Sequence, residues 1–496
     1  MKLKYLKSED LSQIKLCKKK KRVLLINPKM RDSPMKFPHN GLAILAGILK
    51  KRGHDVLVVD YAFLPDNKKK DISYFYNSFK PDVVGVSMYT QNSDYGENII
   101  RKITELSPNT PIMVGGPHAL MHHESLQKNK NIDYIFVGEA ELTIISVVEI
   151  AKKEKTARII QSDEILKLNY VPLPEYKSFY EWQTITEYPI MTSRGCPNKC
   201  SFCVSICFAH RFWRPRNPEQ CIKELEIAKK EMSPNLRFVV FDDCPTVDKE
   251  RFNKFLELYI KKINSELSIV NTRADSIDEK MLSLMKKCPL RFLSIGVEHG
   301  NPEVFKMVNK GETFEQIENA CKLIKKQGIR LGVSFIIGLP GDSFEKTMDS
   351  IRFYKKLGAE QLSLNLMMPY KNTVARDWFE KNGGKFYDEF ESGKTIAHPL
   401  QCPKAMVETP GFTAFQRKKA FYMFLFKVAE PRLKLRYMPR IITIAGKYGL
   451  LQEFLFWIPH GVITSIKNKY RLFKIGLYFY KKRGFSGLIN KIIKSI

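Results

Sequence analysis

The chain has no uninterrupted apolar run of 18 or more residues, which excludes a simple membrane-spanning helix. Its start, Met1-Lys-Leu-Lys-Tyr5, is charged and lacks an apolar leader core, so no signal peptide is expected. Cysteine is sparse, 10 in 496 residues, and six are scattered singly: Cys17, Cys221, Cys244, Cys288, Cys321 and Cys402. A disulfide scaffold is denser and more even, so a reducing cytoplasm is expected. No fixed-period repeat and no G-x-G-x-x-G pattern occur, which disfavours solenoids and dinucleotide binding. Acidic residues are outnumbered, 52 against 82 Lys and Arg, and a net charge of +30 seeks anionic ligands or surfaces. At 44% hydrophobic and 27% charged the composition is globular, and the length predicts about three domains.

After a basic arm (residues 1–22, ending Lys18-Lys-Lys-Lys-Arg22), short apolar runs alternate with helical stretches. The runs Val23–Asn27, Val56–Asp60, Asp82–Ser87, Ile112–Gly115 and Tyr134–Val137 read as strands, and 41–52 reads as a helix closed by Gly53. Strands this apolar are covered on both faces. The alternation over 23–155 therefore predicts an α/β, Rossmann-like, doubly wound parallel sheet. Residues 156–185 lose the rhythm and read as a linker. Six more strands follow within 186–395: Tyr188–Thr192, Leu236–Phe241, Ser268–Thr272, Phe292–Val297, Gly332–Ile337 and Gln361–Leu366. With helices such as Glu219–Met232, Asp278–Lys287 and Phe314–Gln327 between them, they predict a partial (β/α)6 barrel, with its chemistry at the strand C-termini. Residues 396–496 read as a basic, mainly helical region. From Arg417 onward there are 18 Lys or Arg against Glu430 and Glu453.

The remaining four cysteines fall within twelve residues: Cys196, Cys200, Cys203 and Cys207. The first three have the spacing C-x3-C-x2-C after a predicted strand. Three thiolates on one tight loop can grip three corners of a four-iron cube and leave the fourth iron open to substrate. Arg194 and Lys199 put positive charge beside such an anionic cluster. The rival is a structural zinc site, completed by Cys207, His210 or Cys221.

Cys196-x3-Cys200-x-Phe202-Cys203 resembles the signature of the radical S-adenosylmethionine (SAM) superfamily. Four further segments resemble family motifs in order: Phe238–Asp243, Thr272–Asp275, Gly296-Val-Glu298-His-Gly300 with Lys310-Gly311, and Phe335–Gly341, ending Gly338-Leu-Pro-Gly341. His299 stands where the family usually has Ser. The resemblance implies a [4Fe-4S] cluster on Cys196, Cys200 and Cys203, with SAM chelating the open iron. An external one-electron donor then yields a 5′-deoxyadenosyl radical that abstracts hydrogen from carbon. Phe202 would touch the adenine, Asp243 and Glu298 would hold the ammonium or ribose, Arg273 would pair with the carboxylate, and Gly338 would let backbone approach the adenine. Cys244 reads as a small core residue.

Residues 23–155 resemble the cobalamin (B12)-binding domain often fused ahead of this barrel. The resembling stretches are Pro38–Ala43, Gly53–Val56, Val84–Ser87, Val114–His118 and Val137–Glu141. Ser87, Gly115, Gly116, His118, Gly138 and Glu139 are the implied cobalamin contacts, at the sheet edge where such folds bind ligands. The D-x-H-x-x-G motif that supplies an axial histidine is absent, so either the corrin binds without that ligand or the domain has lost it. His118 has a plainer reading, as a cap on the next helix.

The tail allows a solvated helical cap, an anionic-membrane surface built from Leu450–Ile458 and Leu472–Tyr480, or, least favoured, a nucleic-acid surface. It does not resemble the tRNA methylthiotransferase appendage. The expected function is a cobalamin-dependent radical SAM C-methyltransferase acting on a small hydrophobic, lipid- or isoprenoid-like substrate. The expected location is cytoplasmic, with peripheral membrane contact. The alternatives are an oxidative cyclase of the magnesium-porphyrin type and a non-catalytic metal-stabilised binding protein.

Overall fold

The computed structural model of the chain describes residues 10–30, 37–162, 164–205, 212–387, 404–428 and 438–453. Two parallel sheets dominate it. The first is built from β1 (Arg22–Asn27), β2 (Asp55–Asp60), β3 (Val83–Ser87), β4 (Ile112–Gly115), β5 (Tyr134–Phe136) and β6 (Arg158–Ile160), in the order 2-1-3-4-5-6. Val23, Leu24, Leu25 and Ile26 are each at most 2% exposed, which is why their run carries no polar alternation. The order reverses between β1 and β3, and such switch points open a crevice at the strand C-termini. Helix Asn40–Arg52 starts beside that crevice, where the His39 ring accepts the Leu42 N–H.

β6 corrects the sequence reading, which placed residues 156–185 in a linker. Arg158–Ile160 is the edge strand of the first sheet, paired with β5. Three residues, the first exposed, are too few to show periodicity. The rest of that segment is docked. Tyr176 and Phe179 are buried, Glu175 N donates to Ala43 O at 2.8 Å, and Tyr180 N donates to Val58 O at 2.8 Å.

The second sheet follows with β7 (Glu187–Ile190). A short antiparallel hairpin of β8 (Ser193–Arg194) and β9 (Arg214–Pro215) interrupts it. It continues through β10 (Arg237–Val240), β11 (Leu267–Thr272), β12 (Leu290–Glu298), β13 (Leu331–Ile337) and β14 (Gln361–Leu366). The order 14-13-12-11-10-7 is sequential and parallel, as an open barrel requires. Its helices are capped by local side chains. Thr313 and Gln316 form a reciprocal capping box on helix Phe314–Lys326. Helix Ala414–Val428 packs on helix Phe344–Leu357 and on β13 and β14. One hydrophobic core runs through both sheets, from Val23 and Val58 to Phe335 and Phe424.

Among the described residues no helix is long and apolar enough to cross a membrane. Most of the apolar tail segment Leu450–Ile458 and all of Leu472–Tyr480 lie outside them, as do Cys207, His210 and Cys402.

Candidate functional site

The cysteine loop leaves β8 and is fastened by the two aspartates at the end of β10. Asp242, fully buried, accepts from Thr192 N (2.7 Å), Thr192 Oγ1 (2.6 Å) and Ser193 Oγ (2.5 Å). Burial raises its carboxyl to about 6 against these hydrogen bonds. Asp243 accepts from Gly195 N at 2.9 Å and from Ser205 Oγ at 3.1 Å, so it holds both ends of the loop. Each carboxylate oxygen thus has one donor from the loop. In mid-loop, Ser201 N donates to Val308 O (2.8 Å) and Ala375 N to Ser201 O (2.9 Å). Phe202 packs against a small apolar cluster that includes Val304, Val308, Leu339 and Phe379.

The three thiols lie close enough to act on one another's charge. Burial pushes Cys200 up to about 12 and raises Cys203. Cys196 is pulled down by hydrogen bonds from the buried Cys244 thiol and from Asn198, whose Nδ2 is 3.2 Å away. Thiolates are what iron–sulfur sites demand, and this donor set on one anchored loop fits a cluster. Among the described residues no group of three or more Cys, His, Asp or Glu side chains is set to hold a metal ion, so the cysteines would have to close around a cluster. Cys221, a member of the zinc alternative, is fully buried in the barrel core.

Behind the loop lies a buried charged group. Glu298, at the end of β12 with φ 70°, sits 3.3 Å from Lys310 Nζ, and Glu312 sits 3.0 Å from it. Burial raises the Glu298 carboxyl, with Lys310 opposing. Lys310 also donates to Gly296 O. Arg273 gives Nε and Nη2 to Asp275 (3.0 and 2.6 Å) and Nη1 to Lys310 O (2.8 Å). Three of its five N–H donors thus serve the protein. Glu312 accepts the Ala274 N–H at 2.6 Å and so fixes the turn after Arg273. Sequence reading missed Glu312, whose only signal was an acid two residues beyond Lys310. The field of Cys200 reaches Glu298, Lys310 and Arg273, so these motifs converge on one place. Gly338, with φ 85°, opens the turn after β13. The space its side chain would fill is taken by the Arg417 guanidinium.

The crevice of the first sheet is a cavity of about 460 Å³. From the first sheet it takes Ser87, Gly115, Gly116, Gly138 and Glu139, and from the barrel side Met191, Arg194, Phe241 and Asp243. Its volume lies in the range of cofactor pockets. Gly138 has φ 97°, and a Cβ there would meet nothing within 4 Å. That vacant cradle on a mainly apolar wall suits a bulky flat ligand with amide side arms. The residues present therefore fit a corrin.

His39 and Tyr89 also line the cavity and had not been singled out. His39 Nε2 lies 3.2 Å from Ser87 Oγ, and burial lowers the ring to about 4, so it is neutral at pH 7. His118 does not line the cavity. It is buried, 3.3 Å from Thr90 Oγ1, and stacks on His122.

Glu139 joins the two halves. Arg194 Nη1 donates to Glu139 (2.9 Å) and to Glu141 (2.8 Å), and Arg214 donates to both oxygens of Glu139 at 2.8 and 2.6 Å. Burial alone would raise the Glu139 carboxyl, but Arg214 and Arg194 hold it at about 2. Arg194 and Arg214 face each other across the β8–β9 hairpin, two residues before Cys196.

A Rossmann-like crevice thus faces a cysteine loop on an open parallel barrel, the arrangement of a cofactor-binding α/β protein. Residues 190–354 match the model of the radical SAM superfamily and residues 30–148 that of the B12 binding domain. The chain thus carries an N-terminal stretch similar to the B12 binding domain, followed by one similar to the radical SAM superfamily. It is 29% identical over 359 residues to the uncharacterized methyltransferase PH0819 of Pyrococcus horikoshii, covering 68% of this chain and 77% of that protein. It is 27% identical over 478 residues to the anaerobic magnesium-protoporphyrin IX monomethyl ester cyclase of Rubrivivax gelatinosus, covering 87% and 84%. The fold is shared with the radical SAM methyltransferase TsrM of Kitasatospora setae, solved with tryptophan and a SAM analogue. There the TM-score is 0.63 at 17% identity, covering 85% of this chain and 90% of that one.

Proposed function

We propose that the chain is a cobalamin-dependent radical SAM C-methyltransferase acting on an unactivated carbon of a small hydrophobic substrate. One observation carries this. A single cavity is walled by Ser87, Gly115, Gly116 and Gly138 on one side and by Arg194 and Asp243, which hold the cysteine loop, on the other. Methyl transfer to a carbon radical needs a methyl carrier and a radical source in one water-poor space, and this wall supports both.

In this reading Cys196, Cys200 and Cys203 hold a [4Fe-4S] cluster, and the corrin lies along Gly138 and Gly115. When bound, these groups supply one-electron reduction of SAM and a transferable methyl group. The chain's residues do the rest. Asp243 keeps the loop in place, while Arg194 and Arg214 bind Glu139 so that the loop keeps its register with the cavity. Met191, Phe241 and Leu42 give the wall its apolar surface. Glu298 and Lys310 together offer both charges that a zwitterionic amino acid head group needs.

The extent of the similarity to the Rubrivivax cyclase supports a second reading, oxidative ring formation without methyl transfer. Anaerobic reconstitution with iron, sulfide and hydroxocobalamin is the first test, and the absorption spectrum should report both groups. Product mass then decides, because methylation adds one CH₂ and ring formation removes hydrogen. A reconstituted chain that makes no 5′-deoxyadenosine from SAM and dithionite would sink both readings and leave a non-catalytic protein.

A further inference from the structure

The basic C-terminal region sends one cation into the middle of the protein. Arg417, in the first turn of helix Ala414–Val428, is 2% exposed. Its Nε donates to Phe412 O at 3.0 Å and its Nη1 to Gly338 O at 2.6 Å. The guanidinium lies over the rings of Phe412 (4.9 Å) and Phe379 (5.6 Å). Among the described residues no carboxylate forms an ion pair with it. Desolvation outweighs the favour that Asp342 and Glu408 give its charge from beyond ion-pair distance, so a mere packing role would be filled better by an apolar side chain.

The cation sits at a junction. Gly338 N donates to Asp342 Oδ2 at 2.7 Å, so both backbone groups of Gly338 are taken. Asp342 Oδ1 accepts the Ser343 N–H at 2.7 Å and lies 3.2 Å from His299 Nε2. His299 Nδ1 accepts the Asn301 N–H at 3.1 Å, whereas its buried Nε2, though close to Asp342, makes no hydrogen bond among the described residues. The departure at His299 thus packs the end of β12 against the turn after β13. Arg417 ties the other side of that turn to the C-terminal helix. Leu339 of the same turn and Phe379 beneath the guanidinium belong to the apolar cluster on which Phe202 rests, between Cys200 and Cys203.

We propose that Arg417 is a positioning residue for the cysteine loop and its neighbouring cofactor pocket. It clamps the Gly338–Gly341 turn and, through Leu339 and Phe379, the platform beneath Phe202. The C-terminal helix is then a working wall of the reaction centre. The link to SAM rests on the function proposed above; the link to the cysteine loop rests on contacts alone.

Two measurements on the full-length chain test this separately. The first is amide hydrogen exchange on the unloaded protein, comparing Arg417→Ala, Arg417→Lys and the exposed same-helix control Lys427→Ala. Arg417→Ala should speed exchange selectively in the turn 338–343 and the loop 200–205, with Arg417→Lys intermediate and Lys427→Ala unchanged. Faster exchange spread evenly over the chain, or none in the loop, overturns the proposal. The second is 5′-deoxyadenosine formation after reconstitution with iron and sulfide. KM for SAM should rise about tenfold in Arg417→Ala with a smaller change in kcat, the mark of a misplaced binding wall. An unchanged KM with normal iron content overturns the cofactor part. If the wild type itself makes no 5′-deoxyadenosine, the functional reading fails, and the exchange result still decides the clamp.

Discussion

Gly138 and Gly338 occupy matching places in the two sheets, each just beyond a parallel strand and each with positive φ, 97° and 85°. Both belong to motifs that, by resemblance, meet a cofactor. Their surroundings are opposite. Nothing lies within 4 Å of a Cβ built on Gly138, whereas one built on Gly338 runs into Arg417. The first sheet leaves its glycine turn open towards a cavity. The barrel fills the equivalent space with its own side chain and spends the turn's backbone groups on Asp342 and Arg417. A glycine in a motif therefore does not by itself say that a ligand comes close. It says that something does, and only the packing shows whether that is the protein.

The sharpest way to break this contrast is Gly338→Ala. Positive φ strains an L-residue by roughly 1–2 kcal/mol, and the methyl must also push the guanidinium off its carbonyl. A loss of about 3–4 kcal/mol is expected, near the top of the range for single substitutions. Urea unfolding measures it, and a loss below about 1 kcal/mol would mean that the turn and Arg417 move apart freely.

Next in size is the link between the halves. Glu139→Gln keeps the shape and one acceptor oxygen but removes the charge, leaving Arg214 with an amide oxygen and the Leu166 carbonyl (3.3 Å), and Arg194 with Glu141 as its carboxylate. Removing one partner of a largely buried pair costs several kcal/mol. With Glu139 one quarter exposed, about 2–3 kcal/mol is expected. Iron uptake should fall with it, because Arg194 adjoins the cysteine loop. A Gln variant with wild-type stability and iron content would show that the ion pairs merely decorate the interface.

Much of this was legible in the residues. The central strands of the first sheet stood out because they are apolar runs buried on both faces, and the cysteine loop because its spacing is local. What was not legible is mostly a matter of distance along the chain. Glu139 meets its arginines 55 and 75 positions away, and Arg417 meets Gly338 79 positions away. Averaged composition placed Arg417 among surface cations, although burial belongs to a single side chain. Asp243 sat in the right motif, but proximity in sequence does not say which donor claims its oxygens. Three-residue β6 is too short for any pattern to show.

The cavity wall carries a proton-dependent term. His39 titrates near 4 in the fold against 6.5 in the unfolded chain. It therefore supports stability above pH 6.5, and that support is lost as pH falls from 6.5 through 4. At pH 5 the loss approaches about 2 kcal/mol, an upper figure because the ring keeps some contact with the cavity. His39→Asn keeps an N-cap acceptor for Leu42 and removes the titration, so its stability curve between pH 7 and 4.5 should be flatter than the wild type's. Parallel curves would place the acid sensitivity elsewhere.

Gly138→Ala closes the comparison with the smallest effect on folding. The positive φ costs about 1 kcal/mol, but the methyl enters empty space, so no second penalty is added. Folding should therefore survive where Gly338→Ala fails. The methyl does, however, stand in the cradle assigned to the corrin. Hydroxocobalamin affinity, read from its visible absorption, should fall at least tenfold while iron loading of the cysteine loop stays at the wild-type level. If corrin affinity holds and iron loading drops instead, the open turn serves the barrel, and the two glycines are more alike than their surroundings indicate.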